Sequence, residues 1–434
     1  MIRRLVAAAL ALVAVAGLLV GCAPAPEHLT LRLWDPQVAK AYRSSLAEFQ
    51  RTTGIRVDVV VVPWASYFTQ LRADIAAGTA DDVFWTNATN FRDYASAHAI
   101  LPVSAAQRRA QEKDWEPAVV RQYSADGKLW GVPQITDPGI GLLYNADLLK
   151  AAGLSPEDLE KLSWDPVAAD DGLRSVARRL TLDSAGRHPG DPGFDPTRIA
   201  QYGYGAADDL NAVLLQFLAG NGASWQTGDR FTFASSAGIA ALDYVVRLMT
   251  REHVAPTSAD TDAPAGGDFL LNEFTRGHLA LFPTGAYNLA NVQGGADFAW
   301  GIAPLPAGPA GSISVTNGVV LAANAHSSDA SAQRKLLDWL GSARGQRAIG
   351  ASGSALPAVG AAQGAYRAFW QAKHVDIRPM LDVLAHGAIQ APQGARYEAA
   401  ADAMAPILDD VFAGRRPAAS GVRAAEDAAN AAIR

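Results

Sequence analysis

The stretch DGKLWGVPQITDPGIGLLYNADLL, Asp126 to Leu149, decides how the rest of the chain is read. It opens with Asp126-Gly127 between Tyr123 and Leu129/Trp130, a tight hairpin signal. Trp130 to Ile135 is short and extended, and Pro133 keeps it out of a helix. After the polar break Thr136-Asp137-Pro138-Gly139, the apolar run Ile140 to Tyr144 predicts a buried strand, and Asn145 and Asp147 are suited to start a helix. Two extended segments interrupted by Asp-Pro-Gly fit a chain passing from one folded unit into another. They fit a strand-turn-strand within one domain equally well, so the flanking sequence must choose.

Upstream, Leu29-Thr-Leu-Arg-Leu-Trp34 alternates apolar and polar residues and predicts a strand closed by Asp35-Pro36. Val38 to Gln50 carries a helical stripe ended by Gly54, Ile55 to Val62 is a β-branched strand, and Trp64 to Ala77 is a second helix stopped by Gly78. Asp82-Val-Phe-Trp85 is a third strand running into Asn87. Strand, helix, strand, helix, strand predicts a parallel sheet covered by helices, with ligands beyond the carboxyl ends of its strands. Trp34, Asp35, Trp85 and Asn87 fall at that rim. Downstream, Leu159 to Leu180 reads helical and Ser184 to Arg198 is a Gly/Pro/Asp-rich loop. Tyr202 to Gly205 is extended and breaks at Asp208, Asp209 and Asn211, which form a second rim. The strand Gly277 to Phe282 ends near Thr284 and Tyr287, and Ser312 to Ala323 is extended through Asn317. The tail from Ala361 to Arg434 is alanine-rich and helical.

Residues 1–21 have the form of a lipoprotein signal peptide: Arg3 and Arg4, an apolar run from Leu5 to Val20, then Leu19-Val-Gly-Cys22. The run is shorter than the roughly 20 residues of a membrane span. Cys22 is the single cysteine of the chain, so it has no disulfide partner within it and is read as the lipid attachment point. This places the protein on the extracytoplasmic face of a cell membrane, held by its lipid. Behind the signal, 35 basic residues face 43 acidic ones, a formal charge of −8 that argues against nucleic acid as partner. A remainder of roughly 412 residues exceeds what one hydrophobic core usually serves.

No cofactor or metal is expected. There is no phosphate-binding Gly-x-x-x-x-Gly-Lys-Ser/Thr loop, no complete dinucleotide fingerprint, and no His or Cys at metal-ligand spacing. Asp81/Asp82 and Asp208/Asp209 are the residues from which an exported glycosidase or lyase could draw a carboxylate pair, the competing reading. The rims otherwise suit a polyhydroxylated ring: carboxylates and amides pair with vicinal hydroxyls while aromatic faces cover the C–H side. The remaining tryptophans, Trp64, Trp164, Trp225, Trp300 and Trp339, are assigned to the core or to packing between units.

In order along the chain, Leu31-Arg-Leu-Trp34, Phe49-Gln-Arg-Thr-Thr-Gly54, Ile75-Ala-Ala-Gly78, Gly127-Lys-Leu-Trp-Gly-Val-Pro133, Phe274-Thr-Arg-Gly277 and Gly301-Ile-Ala-Pro-Leu-Pro306 form a familiar series. With the signal sequence, the chain resembles the carbohydrate-binding lipoproteins of ABC importers. These belong to the family-1 extracellular solute-binding group, which includes maltose-binding proteins, and the chain is also similar to the Usp-type amino-sugar binders of actinobacteria. The resemblance implies a class II periplasmic-binding-protein-like α/β fold. An N-terminal lobe of residues 28–137 plus 317–352 and a C-terminal lobe of 138–316 plus 353–434 would be joined by three crossings, near Asp137 to Gly139, Thr316 to Val320, and Ser352 to Pro357. It implies a monomer, not an enzyme, that passes a mono- or oligosaccharide to membrane permease subunits. Trp85 would be the first-lobe aromatic contact and Tyr287 a stacking ring. Asp209 and Asn211 fall where relatives carry an acid and an aromatic; Trp34, Asp35, Asn87 and Tyr397 align approximately with the site, and Asp137 with the first crossing. The abundance of aspartate at the rims is compatible with a cationic amino sugar.

Overall fold

The computed structural model describes residues 28–257, 267–382, 388–394 and 396–434. Cys22 and the signal segment lie outside them. The first sheet grows from the strands expected near the amino terminus. His28–Leu33 pairs in parallel with Arg56–Val61, Leu29 opposite Val57, and with Val83–Thr86, Leu31 opposite Val83. A strand from much later in the chain, Gly318–Asn324, pairs antiparallel with Val83–Thr86 and also receives Val132–Thr136 and the short Ile100–Leu101. The helix Pro36–Thr53 shows how local sequence builds this layer. Asp35 accepts from the amides of Gln37 and Val38, Pro36 presets the first turn, and Gly54 ends the helix at φ 77°. Its stripe of Val38, Tyr42, Leu46 and Phe49 faces the sheet and is buried.

The second sheet has the order Trp300–Ala303, Ile140–Asn145, Leu279–Gly285, Ile199–Tyr204, Leu182–Asp183. Its second strand, held between Trp300–Ala303 and Leu279–Gly285, is the apolar run of the deciding stretch. Ile140 and Leu142 join one core with Leu281, Leu214 and Met404, whereas Leu143 joins another with Phe282, Phe274 and Trp370. Burial on both faces is why that run reads as continuous rather than alternating. Gly141 is required here, because a Cβ would come within 2.9 Å of the Met380 side chain. A pair of alanine-rich helices, Tyr397–Phe412 and Ala418–Ala432, closes the larger core with Ala400, Met404, Leu408, Val422 and Ala425.

The hairpin forms at Asp126-Gly127, both at positive φ (52° and 72°), between Ser124–Ala125 and Lys128–Leu129. Asp137-Pro138-Gly139 then runs from a strand of the first sheet into a strand of the second. A second passage is at Asn317, between Ser314–Thr316 and Gly318–Asn324. The two are tied together: Asp137 N–H donates to the Asn317 carbonyl at 2.7 Å, and Ile140 N–H to Ser314 Oγ at 2.7 Å. Farther on, Ala355, Val359 and Ala362 pack in the first core while Leu356, Tyr366 and Trp370 pack beside the second sheet, so the helix Gly360–Ala372 touches both.

The expected helix Leu159 to Leu180 forms only over Gly172–Leu180. Pro166 and the aspartates at 165, 170 and 171 favour turns, and the Arg174 side chain, 4% exposed, organises the preceding residues into a folded loop. Its guanidinium donates to the carbonyls of Asp165, Ala168 and Ala169 and to the Asp171 carboxylate.

Candidate ligand cleft

Between the two sheets lies a cleft of about 310 Å³. One wall is a single face of the helix Trp64–Ala77, presenting Trp64, Ala65, Phe68, Thr69 and Arg72 at helical spacing. The opposite wall comes from the second unit and includes Leu210, Asn211, Pro392 and Glu398. Asn87 and Thr89, beyond the carboxyl end of Val83–Thr86, and Asn317, at a passage between the sheets, complete it. Three of the expected site residues, Asn87, Asn211 and Asn317, are thus brought together.

Two of these amides are partly committed. The Asn87 side-chain oxygen accepts from the Thr89 hydroxyl, the Asn90 amide N–H and the Asn90 side chain, leaving its NH2 group as the donor it has to offer. Asn317 Oδ1 accepts from Gln122 at 3.1 Å and from the Gly318 amide at 2.9 Å. Asn211 Oδ1 is buried with no hydrogen-bond partner in the protein. A buried acceptor left unpaired costs about 1–3 kcal/mol, so an incoming hydroxyl would relieve it.

The aromatic wall differs from expectation. Trp64, assigned from sequence to the core, is 56% exposed, whereas Trp85 is 1% exposed. Trp85 sits on a central strand pointing inward, its indole N–H donating to the Tyr42 hydroxyl at 3.2 Å. Trp34 stands between them, edge-on to Trp64 at 5.2 Å and to Trp85 at 4.8 Å. Trp64 is therefore the most open ring of this stack, Trp34 is partly exposed beside it, and Trp85 supports them from behind. Thr284 (1% exposed) and Tyr397 (5%) are likewise behind the cleft. Thr284 accepts from the Asn288 side chain, and the Tyr397 ring packs on Phe231 at 5.7 Å while its neighbour Glu398 takes the place at the wall. Asp35 and Asp209 cap helical turns, Asp209 accepting from the amides of Asn211 and Ala212.

An acidic group adjoins these residues. Tyr287 is 41% exposed, yet its hydroxyl is held well above the usual tyrosine range, by burial first and then by the charges of Asp209 and Asp137. Asp137 is pushed up to about 7 by burial, against the opposing Gly139 amide. Asp208 is also pushed up to about 7, by burial and then by the neighbouring Asp409 and Asp209 carboxylates. A carboxyl raised in this way keeps its proton in the fold where the unfolded chain has lost it. It therefore lowers folding stability above pH 7, and that loss is recovered as the pH falls from 7 toward about 4. Asp208→Asn is expected to raise the melting temperature by roughly 2 °C or more at about pH 8 and to change little near pH 4. Thermal denaturation followed across that range checks it; an equal shift at both ends would contradict the assignment.

Among the described residues no group of three or more His, Cys, Asp or Glu is placed to hold a metal ion, and no helix is long and apolar enough to cross a membrane. Residues 35–347 match the family model for bacterial extracellular solute-binding proteins. The chain belongs to this family. The solute-binding protein also superposes on the crystal structure of UspC from M. tuberculosis, with 43% identity and a TM-score of 0.73, over 93% of this chain and 100% of that one. An ABC substrate-binding protein of Listeria monocytogenes, solved in complex with cycloalternan, shares the two-lobed α/β fold with a TM-score of 0.80 at 18% identity, over 94% of this chain and 99% of that one. A lactose-binding protein of Rhizobium radiobacter is 24% identical over 320 residues, 70% of this chain and 67% of its own.

Proposed function

We propose that this solute-binding protein captures a carbohydrate between its lobes and delivers it to the permease of an ABC importer. The observation that carries the reading is the pairing, across one cleft, of the exposed Trp64 face with the amides of Asn87, Asn211 and Asn317. An aromatic face beside amides that donate and accept suits the two sides of a pyranose ring. Contacts drawn from both lobes make closure and binding one event, a population shift rather than a reaction. Names among its relatives, a lactose-binding protein and a complex with cycloalternan, point the same way. The acids Asp137, Asp208 and Asp209 make an amino sugar a fitting ligand within that class.

The same reading assigns the lobes to residues 28–137 plus 317–352 and 138–316 plus 353–434, with the helix Gly360–Ala372 shared between their cores. It makes Cys22 the lipid anchor, the membrane the place of action and the protein a monomer. It makes the protein a binder and not a glycosidase. Asp81 and Asp82 precede the strand Val83–Thr86 and the cleft residue Asn87 follows it, which sets them roughly 17–20 Å from Asn87 along the strand. They are also engaged structurally, Asp81 with Arg32 at 2.5 Å and Asp82 with Thr30 and Ser327.

Titration calorimetry of the purified protein against mono- and disaccharides, amino sugars included, tests this. Saturable heat without product is the expected result. Hydrolysis of chromogenic glycosides by the same preparation would overturn it in favour of an exported enzyme.

A further inference from the structure

Besides the passages of the backbone, two contacts reach across the cleft at one place. Arg72, on the cleft face of the helix Trp64–Ala77, lies 3.2 Å from Glu398 in the first turn of Tyr397–Phe412. The geometry is not that of an aligned hydrogen bond, so the attraction is chiefly ionic. Just before that helix, the Arg396 backbone N–H donates to the Asp93 carboxylate at 2.8 Å, and Asp93 belongs to the first-lobe helix Phe91–Ser96. Arg396 adopts φ 58°, a left-handed conformation that is strained for a residue with a side chain. The strain is offset where that turn aims its amide at Asp93 and places Glu398 opposite Arg72. Tyr94 lies within the same cluster: burial pushes its hydroxyl up, and the charges of Arg72, Glu398 and Asp93 all reach it.

We propose that Arg72–Glu398 and Asp93–Arg396 form a latch that biases the lobes toward closure before a ligand arrives. Arg72 and Glu398 are then positioning residues: they set the fraction of molecules already competent to bind, and apparent affinity follows that fraction. Their side chains are 40% and 29% exposed, so the pair is screened by salt and its effect is modest. Losing an exposed ion pair changes the closed-to-open ratio by up to about fivefold.

The affinity arm of the test rests on the carbohydrate reading, while the scattering arm needs no ligand, so the two can fail separately. Small-angle scattering of the ligand-free purified protein is measured for Arg72→Glu, Glu398→Arg and the double reversal, each checked for folding by thermal melt. Each single reversal is expected to enlarge the radius of gyration and to weaken sugar binding up to about fivefold. The double reversal is expected to restore both, and high salt to enlarge the wild type. Asp93→Asn, which keeps the side chain's shape, is expected to open the lobes in the same direction. The latch is refuted if the single reversals leave the scattering unchanged. It is also refuted if affinity falls and the double reversal does not recover it, since the two side chains would then contact the ligand directly.

Discussion

Trp64→Ala is expected to weaken sugar binding by about 2 kcal/mol, roughly thirtyfold in Kd, while leaving the fold nearly intact. The ring is more than half exposed, and its contacts with Trp34 and Phe68 are made edge-on. Its open face is what a ligand would cover. Removing it deletes the aromatic side of the recognition pair and leaves the amides in place. The stability change should stay under about 1 kcal/mol, as for a substitution outside the core. Calorimetry and thermal melts on one preparation separate the two effects. Full affinity in the variant would show that the ligand does not stack on this helix.

Trp85→Ala is the converse. Trp85 is fully enclosed, packed against Trp34 and Tyr42, and its indole N–H donates to Tyr42, which in turn donates to Gln134 at 2.7 Å. Truncation opens a large cavity and strands part of that chain, so a loss of about 3–5 kcal/mol is expected, seen as a markedly lower denaturation midpoint. Sugar affinity of the molecules that remain folded should fall less than in Trp64→Ala. If Trp85→Ala instead loses binding with no loss of stability, the indole is a ligand contact and the cleft reaches deeper than its walls show.

The contrast between these two tryptophans marks how far the sequence carries. Asp126-Gly127 and Pro133 each restrict the backbone locally, so the hairpin and the extended segment are legible without tertiary information, whereas Asp137-Pro138-Gly139 fits a turn within one domain as well as a passage between two and is decided only by its flanks. The run Ile140 to Tyr144 was legible as buried because both its faces are apolar. The rule that places ligands beyond the carboxyl ends of parallel strands located Asn87 and Asn211, and it also applies to Arg56–Val61. Trp64 follows that strand directly, behind Pro63, and is the residue the rule should have put at the rim. A tryptophan opening an amphipathic helix reads as core from helical spacing alone, while its place beyond a strand end is the signal that points it to the rim. Tyr397 was misplaced for a different reason. On a helix the next residue turns by about 100°, so Tyr397 faces Phe231 and Glu398 faces the cleft. Pairings such as Arg72 with Glu398 or Asp93 with Arg396 join residues about 300 positions apart and have no local signature.

The most direct measurement is a crystal structure of the protein with the sugar that calorimetry selects. The account predicts a pyranose ring lying on the Trp64 face, with hydroxyls bonded to the Asn87 side-chain NH2 group and to Asn211 Oδ1. A sugar bound elsewhere, with Trp64 still open to solvent and Asn211 Oδ1 still unpaired, would contradict it.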